Sequence, residues 1–144
     1  MKDAVGGSLL LYLVVIFTSI VILFFAGILA YSKAYKVKNR IIEVIERNGN
    51  YDNNEVLELK NELKRAGYRS ATSQQIRNKC GEQSLTYTEA AGYFYCVYKD
   101  ESSAEPSYSY EVVTYVHFDF PVIGDILEFP VKGETKILGK SYDY

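Results

Sequence analysis

The stretch LLLYLVVIFTSIVILFFAGILAY, Leu9–Tyr31, lies inside a longer run, Ala4 to Ser32, that carries no charged side chain. As an α-helix it would be roughly 35 Å long, enough to cross the hydrocarbon of a bilayer. It also exceeds the roughly 7–15 apolar residues of a cleavable secretory signal, so it predicts an anchor that stays on the mature chain. A fully buried helix of a water-soluble body is the competing reading, and the 112 residues from Lys33 to Tyr144 make too small a body to wrap it. The chain divides accordingly into a short leader (1–7), a transmembrane helix (8–32), an amphipathic helical extension (33–49) and one small α+β domain (50–144). The lipid bilayer is the first partner that the sequence implies.

Beyond the anchor the charge is nearly balanced, with 15 basic and 17 acidic residues, but it is unevenly spread. Lys33–Arg47 has five basic and two acidic residues, whereas Asp100–Tyr144 has nine acidic and three basic. No basic face accompanies the aromatic residues, which argues against nucleic-acid binding. The chain has 14 Tyr and no Trp, and seven of the Tyr fall between Tyr87 and Tyr115, where amphipathic rings suit half-buried strands. Two signals oppose each other on topology. Lys33, Lys36, Lys38 and Arg40 just after the anchor favour a cytoplasmic domain by the positive-inside count. Cys80 and Cys96, an even pair in a small strand-rich module, favour an oxidising compartment and a mutual disulfide, against the alternative of two unrelated buried thiols. A domain of this size can be translocated despite flanking cations, so the domain is expected outside the cell.

Helical periodicity continues past the membrane. Val37, Ile41, Val44 and Ile45 recur at three- and four-residue spacing, so one long helix is expected to about Asn48, capped by Gly49. A second helix is expected to start at Asp52 with Glu55 as a capping box, bury Val56, Leu59 and Leu63, and close at Gly67. Thr72–Leu85 is polar and reads as loop with at most a short strand. The period then changes to two. Tyr93–Lys99 and Tyr108–Phe120 read as strands, the second with Tyr110, Val112, Thr114, Val116, Phe118 and Phe120 on one face. Leu127–Ile137 reads as a third, with Leu127, Phe129, Val131 and Ile137 inward. Asp100–Ser107 and Pro121–Asp125 supply the connections. The expected architecture is three antiparallel strands packed on the helices.

Catalytic chemistry finds little to stand on. His117 is the single histidine, mid-strand, with no Ser or Cys nucleophile at a readable spacing. Two cysteines and one distant histidine cannot complete a four-ligand zinc site, and Asp119, Asp125 and Glu128 around a turn read as exposed strand residues before they read as a weak calcium site. A non-enzymatic protein without metal or cofactor is expected.

Three features together resemble a known plan: Gly6-Gly7-Ser8 directly before LLLYLVVIF, the Lys33–Arg47 helical extension, and the ending FDFPVIGDILEFPVKGETKIL. A hydrophobic N-terminal helix running into an amphipathic extension and a small antiparallel sheet is similar to type IV pilin-like proteins, and most to the TadE-like minor pilins or pseudopilins. The resemblance implies a prepilin-peptidase cut after Gly7, leaving Ser8 first, with Tyr12 standing where the family carries a Glu. It implies a subunit of a surface filament or Tad-type secretion or adhesion pilus, whose partners are other pilin-like subunits or copies of itself, with an unidentified surface ligand. Small residues on the helix, Ala26, Gly27, Ala30 and Ala34 above all, would permit close helix packing. Two other readings stay open: a single-pass tethered binding or sensory module that never polymerises, and a cytoplasmic accessory subunit of a membrane complex.

Overall fold

A computed structural model describes residues 2–87, 92–101, 107–118 and 128–139. It is an α+β chain in which one long apolar helix runs into a small antiparallel sheet. Helix α1 spans Lys2–Asn48 without a break. From Ala4 to Lys33 none of its side chains is buried; the first buried one is Ala34, followed by Val37, Ile41, Val44 and Ile45. Their spacing of three and four places them on one stripe, so the last third of α1 is the spine of the domain core. The expected 33–49 extension and 50–144 domain therefore share one hydrophobic core. Gly49, at φ +75°, ends the helix, and its N–H donates to Ile45 O at 2.8 Å.

Helix α2, Asn53–Arg65, starts on the expected capping box of Asp52 and Glu55 and buries Val56, Leu59 and Leu63. It lies against α1, where Arg40 forks onto Glu62 with Nε 2.5 Å from Oε2 and Nη2 2.6 Å from Oε1. That hydrogen bond holds the Glu62 carboxyl below the ordinary carboxylate range.

Strand β2, Ser107–Val116, is the centre of the sheet. Strand β1, Tyr95–Glu101, pairs with it on one side, with Tyr95 opposite Thr114 and Val97 opposite Val112. Strand β3, Phe129–Glu134, pairs antiparallel with Glu111–Val116. The short strand β4, Leu138–Gly139, pairs with Ser107 and Tyr108. The face holding Tyr95, Val97, Tyr110 and Val112 closes over Ile41, Ile45, Leu59 and Leu63 in one cluster. The inward set of β2 is thus the one its alternation predicts as far as Val116, where the strand ends; Phe118, expected within it, lies just beyond and packs beside Val116, and Phe120 lies outside the described residues.

Two expectations are corrected. Residues 72–85 are not simply loop: Ser73–Cys80 forms helix α3, with a Thr72–Gln75 capping box and Gly81 at φ +75° behind it. Its interior, SQQIRNKC, has a single strongly apolar residue, Ile76, too little for periodicity to reveal, although the capping box is readable in the sequence. The region Leu127–Ile137 is not one alternating strand either. Between β3 and β4 the register on β2 slips by one residue, a bulge at Thr135–Ile137 that transfers inward pointing from odd to even positions. Val131 is buried as expected, but Ile137 is 75% exposed and Leu138 packs on the core instead. Thr135 holds the bulge: its N–H donates to Tyr110 O at 2.9 Å, and its Oγ1 accepts from Tyr110 N at 3.0 Å. Phe129 is also exposed, at 54%, and Leu127 lies outside the described residues.

Gly133 marks a close approach of α1 to the sheet. A Cβ there would stand 2.9 Å from Lys38 Cδ and 3.0 Å from Ile42 Cδ1, so the missing side chain is the space that the helix occupies. Tyrosine hydroxyls tie the layers together. Tyr51 and Tyr95 share a 2.9 Å bond, Tyr108 donates to Gly49 O at 2.9 Å, and Tyr98 donates to Cys80 O at 2.9 Å. Tyr68 donates to Phe94 O at 3.1 Å and accepts from Tyr115 N at 3.1 Å. Burial pushes the Tyr68 and Tyr95 hydroxyls up to about 12.

Candidate functional site

What sets this chain apart from an ordinary globular domain is the surface of α1 before Lys33. Val5, Leu13, Phe17, Phe24 and Leu29 are each more than 60% exposed, and the apolar side chains point in every direction around the axis. One helix is thus long and apolar enough to span a membrane. The two hydroxyls in its middle are satisfied from within: Thr18 Oγ1 donates to Val14 O at 2.7 Å and Ser19 Oγ to Val15 O at 2.8 Å. Neither asks for water, which suits a helix in lipid. Gly7 and Ser8 lie in this same helix, exposed, and nothing comes within 4 Å of a Cβ built at Gly6 or Gly7.

The small residues are divided between this surface and the chain's own sheet. Ala34 is 1% exposed, and its carbonyl accepts from Thr114 Oγ1 at 3.0 Å. It clusters with Val116 and Val131, with Ala30 and Phe118 packed alongside. A Cβ on Gly27 would lie 3.6 Å from the Phe118 ring, and Ala26 is half-buried beside it. At Gly27, Ala30 and Ala34, small size therefore lets the domain sit close against the helix where it leaves the apolar run. The sequence reading missed this because the contact joins residues about 90 positions apart.

At this junction an open cleft of about 550 Å³ lies between α1 and the sheet. Ala26, Leu29 and Ala30 form its apolar end, and Lys33, Arg69 and His117 its polar end. Lys33 Nζ donates to Gly67 O at 2.5 Å, and Gly67 presents that carbonyl from φ +61°. Arg69 Nη1 donates to Glu128 Oε1 at 2.7 Å and lies 2.9 Å from His117 Nδ1. Lys79 pairs with the other Glu128 oxygen. Burial would raise the Glu128 carboxyl, but Lys79 and Arg69 together hold it below the ordinary carboxylate value of 4.5. Arg69 carries no motif that would single it out in the sequence; it becomes informative only through the fold.

Because the folded-state value of Glu128 is depressed, its contribution to stability is fully present above about pH 4.5 and is lost as pH falls through the lower folded value. Wild type is expected to melt above Glu128→Gln at neutral pH, with the gap closing below about pH 4.5. Calorimetry of both proteins across that range checks it, and a gap independent of pH would show that Glu128 acts by packing alone.

Cys80 and Cys96 form a disulfide with Cα atoms 5.6 Å apart, joining the end of α3 to β1 on the sheet face away from α1. It packs with Ile76 and Val113 in a second cluster. Of the acids weighed for calcium, Glu128 is held by two cations, and Asp119 and Asp125 lie outside the described residues. Among the described residues no three His, Cys, Asp or Glu side chains come together. No family model, curated protein or solved structure matches the chain. The arrangement joins a helix long and apolar enough to span a membrane to a small folded domain.

Proposed function

We propose that this protein is a non-enzymatic, pilin-like subunit that waits in the bilayer through α1 and assembles into a surface filament or secretion pilus through the same helix. One observation carries the reading: a single unbroken helix is apolar all round and almost wholly exposed from Ala4 to Phe25, and becomes the spine of a folded domain from Ala34 on. A subunit built this way can exchange lipid for neighbouring helices without refolding its domain. The Cys80–Cys96 bond supports placing the domain outside, where such bonds persist, despite the cations that follow the anchor.

A second reading, a tethered binding or sensory module that never polymerises, is favoured by the packing of Gly27, Ala30 and Ala34 against the chain's own sheet. Substitution at Gly27 perturbs both that contact and any helix–helix contact, so it does not separate the two. Single cysteines at Leu13 and Ile20, on the bare part of α1, do. Oxidative cross-linking of these variants in native membranes and sheared surface material is expected to trap dimers or partner subunits, and the native N-terminus is expected at Ser8 by mass spectrometry. An intact Met1 with cross-links absent at both positions would move the assignment to the tethered module.

A further inference from the structure

The cleft between α1 and the sheet straddles a boundary that the sequence itself marks. Ala26, Leu29 and Ala30 belong to the uncharged run, and Lys33 is the first charged side chain after it. With the preceding 22 residues from Ala4 to Phe25 occupying about 33 Å of helix, the cleft comes to lie at the depth of the lipid headgroups. We propose that it is a binding site for one anionic glycerophospholipid, with the phosphate on Lys33 and Arg69 and an acyl chain along Ala26, Leu29 and Ala30. The proposal rests on the membrane-spanning reading of α1 and is independent of filament assembly.

Charge, shape and position agree on this ligand. Among the described residues that line the cleft none is acidic, whereas Lys33 and Arg69 are cationic, which favours an anionic headgroup over choline or ethanolamine. The nearby carboxylate, Glu128, engages Arg69 and Lys79 and so fixes the guanidinium in place. Lys33 is likewise held at the rim through Gly67 O, and an ammonium has three donors to share between that carbonyl and a phosphate oxygen. Ser70 and His117 add polar groups on the same wall. A volume of about 550 Å³ suits a headgroup and its glycerol. The apolar end opens toward the bare helix, where a lipid tail continues along Leu29 without leaving the bilayer.

The test uses the full chain in lipid nanodiscs of phosphatidylcholine with a minor fraction of phosphatidylglycerol. Lipids retained after mild detergent extraction are counted by native mass spectrometry. Wild type is expected to retain one phosphatidylglycerol in preference to phosphatidylcholine, and Lys33→Gln with Arg69→Gln to lower that preference by about tenfold. Lys33→Gln alone, which removes an exposed bond, keeps the test decisive where Arg69→Gln weakens the fold. Lys36→Gln removes the same charge from the same helix outside the cleft and is expected to leave retention unchanged. Equal losses in Lys36→Gln and Lys33→Gln would reduce the effect to diffuse surface charge and overturn the proposal. Displacement of the lipid by inorganic phosphate would assign the cleft to a free anion and overturn the lipid assignment. Flotation of every variant with neutral vesicles is the control: its loss in wild type would strike the membrane reading itself and this proposal with it.

Discussion

Ile41→Ala is expected to lower the stability of the folded domain by about 2–5 kcal/mol, the range for emptying a fully buried aliphatic site. Ile41 is 0% exposed and sits where α1, α2 and the sheet meet, clustered with Ile45, Leu59, Leu63, Val97 and Val112. The cavity has little chance of collapsing, because the last third of α1 is fixed along its length. Gly133 already brings β3 against Lys38 and Ile42, and Arg40 clamps α2 through Glu62. The cost therefore belongs toward the upper part of the range. Denaturant unfolding of the full chain in detergent micelles, followed by tyrosine fluorescence, measures it. Leu57→Ala is the companion variant: Leu57 is on α2 but 62% exposed, and its loss is expected to cost less than about 0.5 kcal/mol. Similar costs at Leu57 and Ile41 would mean that α1 does not form the core.

Removing the disulfide is the second large effect. Cys80→Ala with Cys96→Ala opens a loop of 16 residues, and the chain-entropy account puts the loss at about 3 kcal/mol. The damage should be local first. On the α3 side of the sheet, the cluster of Ile76, Cys80, Cys96 and Val113 is small, whereas the α1 side holds the larger one. Hydrogen exchange is expected to quicken in α3 well before it does in β2 or the last third of α1. Reductant should lower the wild-type denaturation midpoint and leave the double variant unmoved. A wild-type midpoint indifferent to reductant, or two labelled thiols in protein from its native host, would remove the bond from the account of stability.

The difference between these two clusters shows how far the sequence could be read. Elements that declare themselves by local rules were legible: the apolar run of α1 and its end at Asn48, the capping box of Asp52 and Glu55, the stripe of Val56, Leu59 and Leu63, and the inward set of β2, although α1 starts at Lys2, inside the expected leader. Each follows from a periodicity of 3.6 or 2 or from a cap chemistry that operates within a few residues. Helix α3 obeyed such a rule too, through Thr72 and Gln75, but its polar interior gave no period to support it. The outward turn of Ile137 was not legible. A bulge exchanges the two faces of a strand without altering its composition, and the register slip on β2 and the bond pair between Thr135 and Tyr110 reveal it.

For the candidate site the division is sharper. Sequence by itself determined that one end of this chain is apolar enough for lipid and continues as an amphipathic helix, because hydropathy and period are properties of neighbouring residues. Tertiary structure alone decided which small residues of α1 meet the chain's own sheet, and that Lys33, Arg69, His117 and Glu128 assemble beside them. Those contacts join segments tens of residues apart, brought together by the pairing of β2 with its neighbours and by the close approach at Gly133. No local pattern encodes such a meeting, since each partner taken alone in the sequence is an ordinary cation, acid, histidine or small residue.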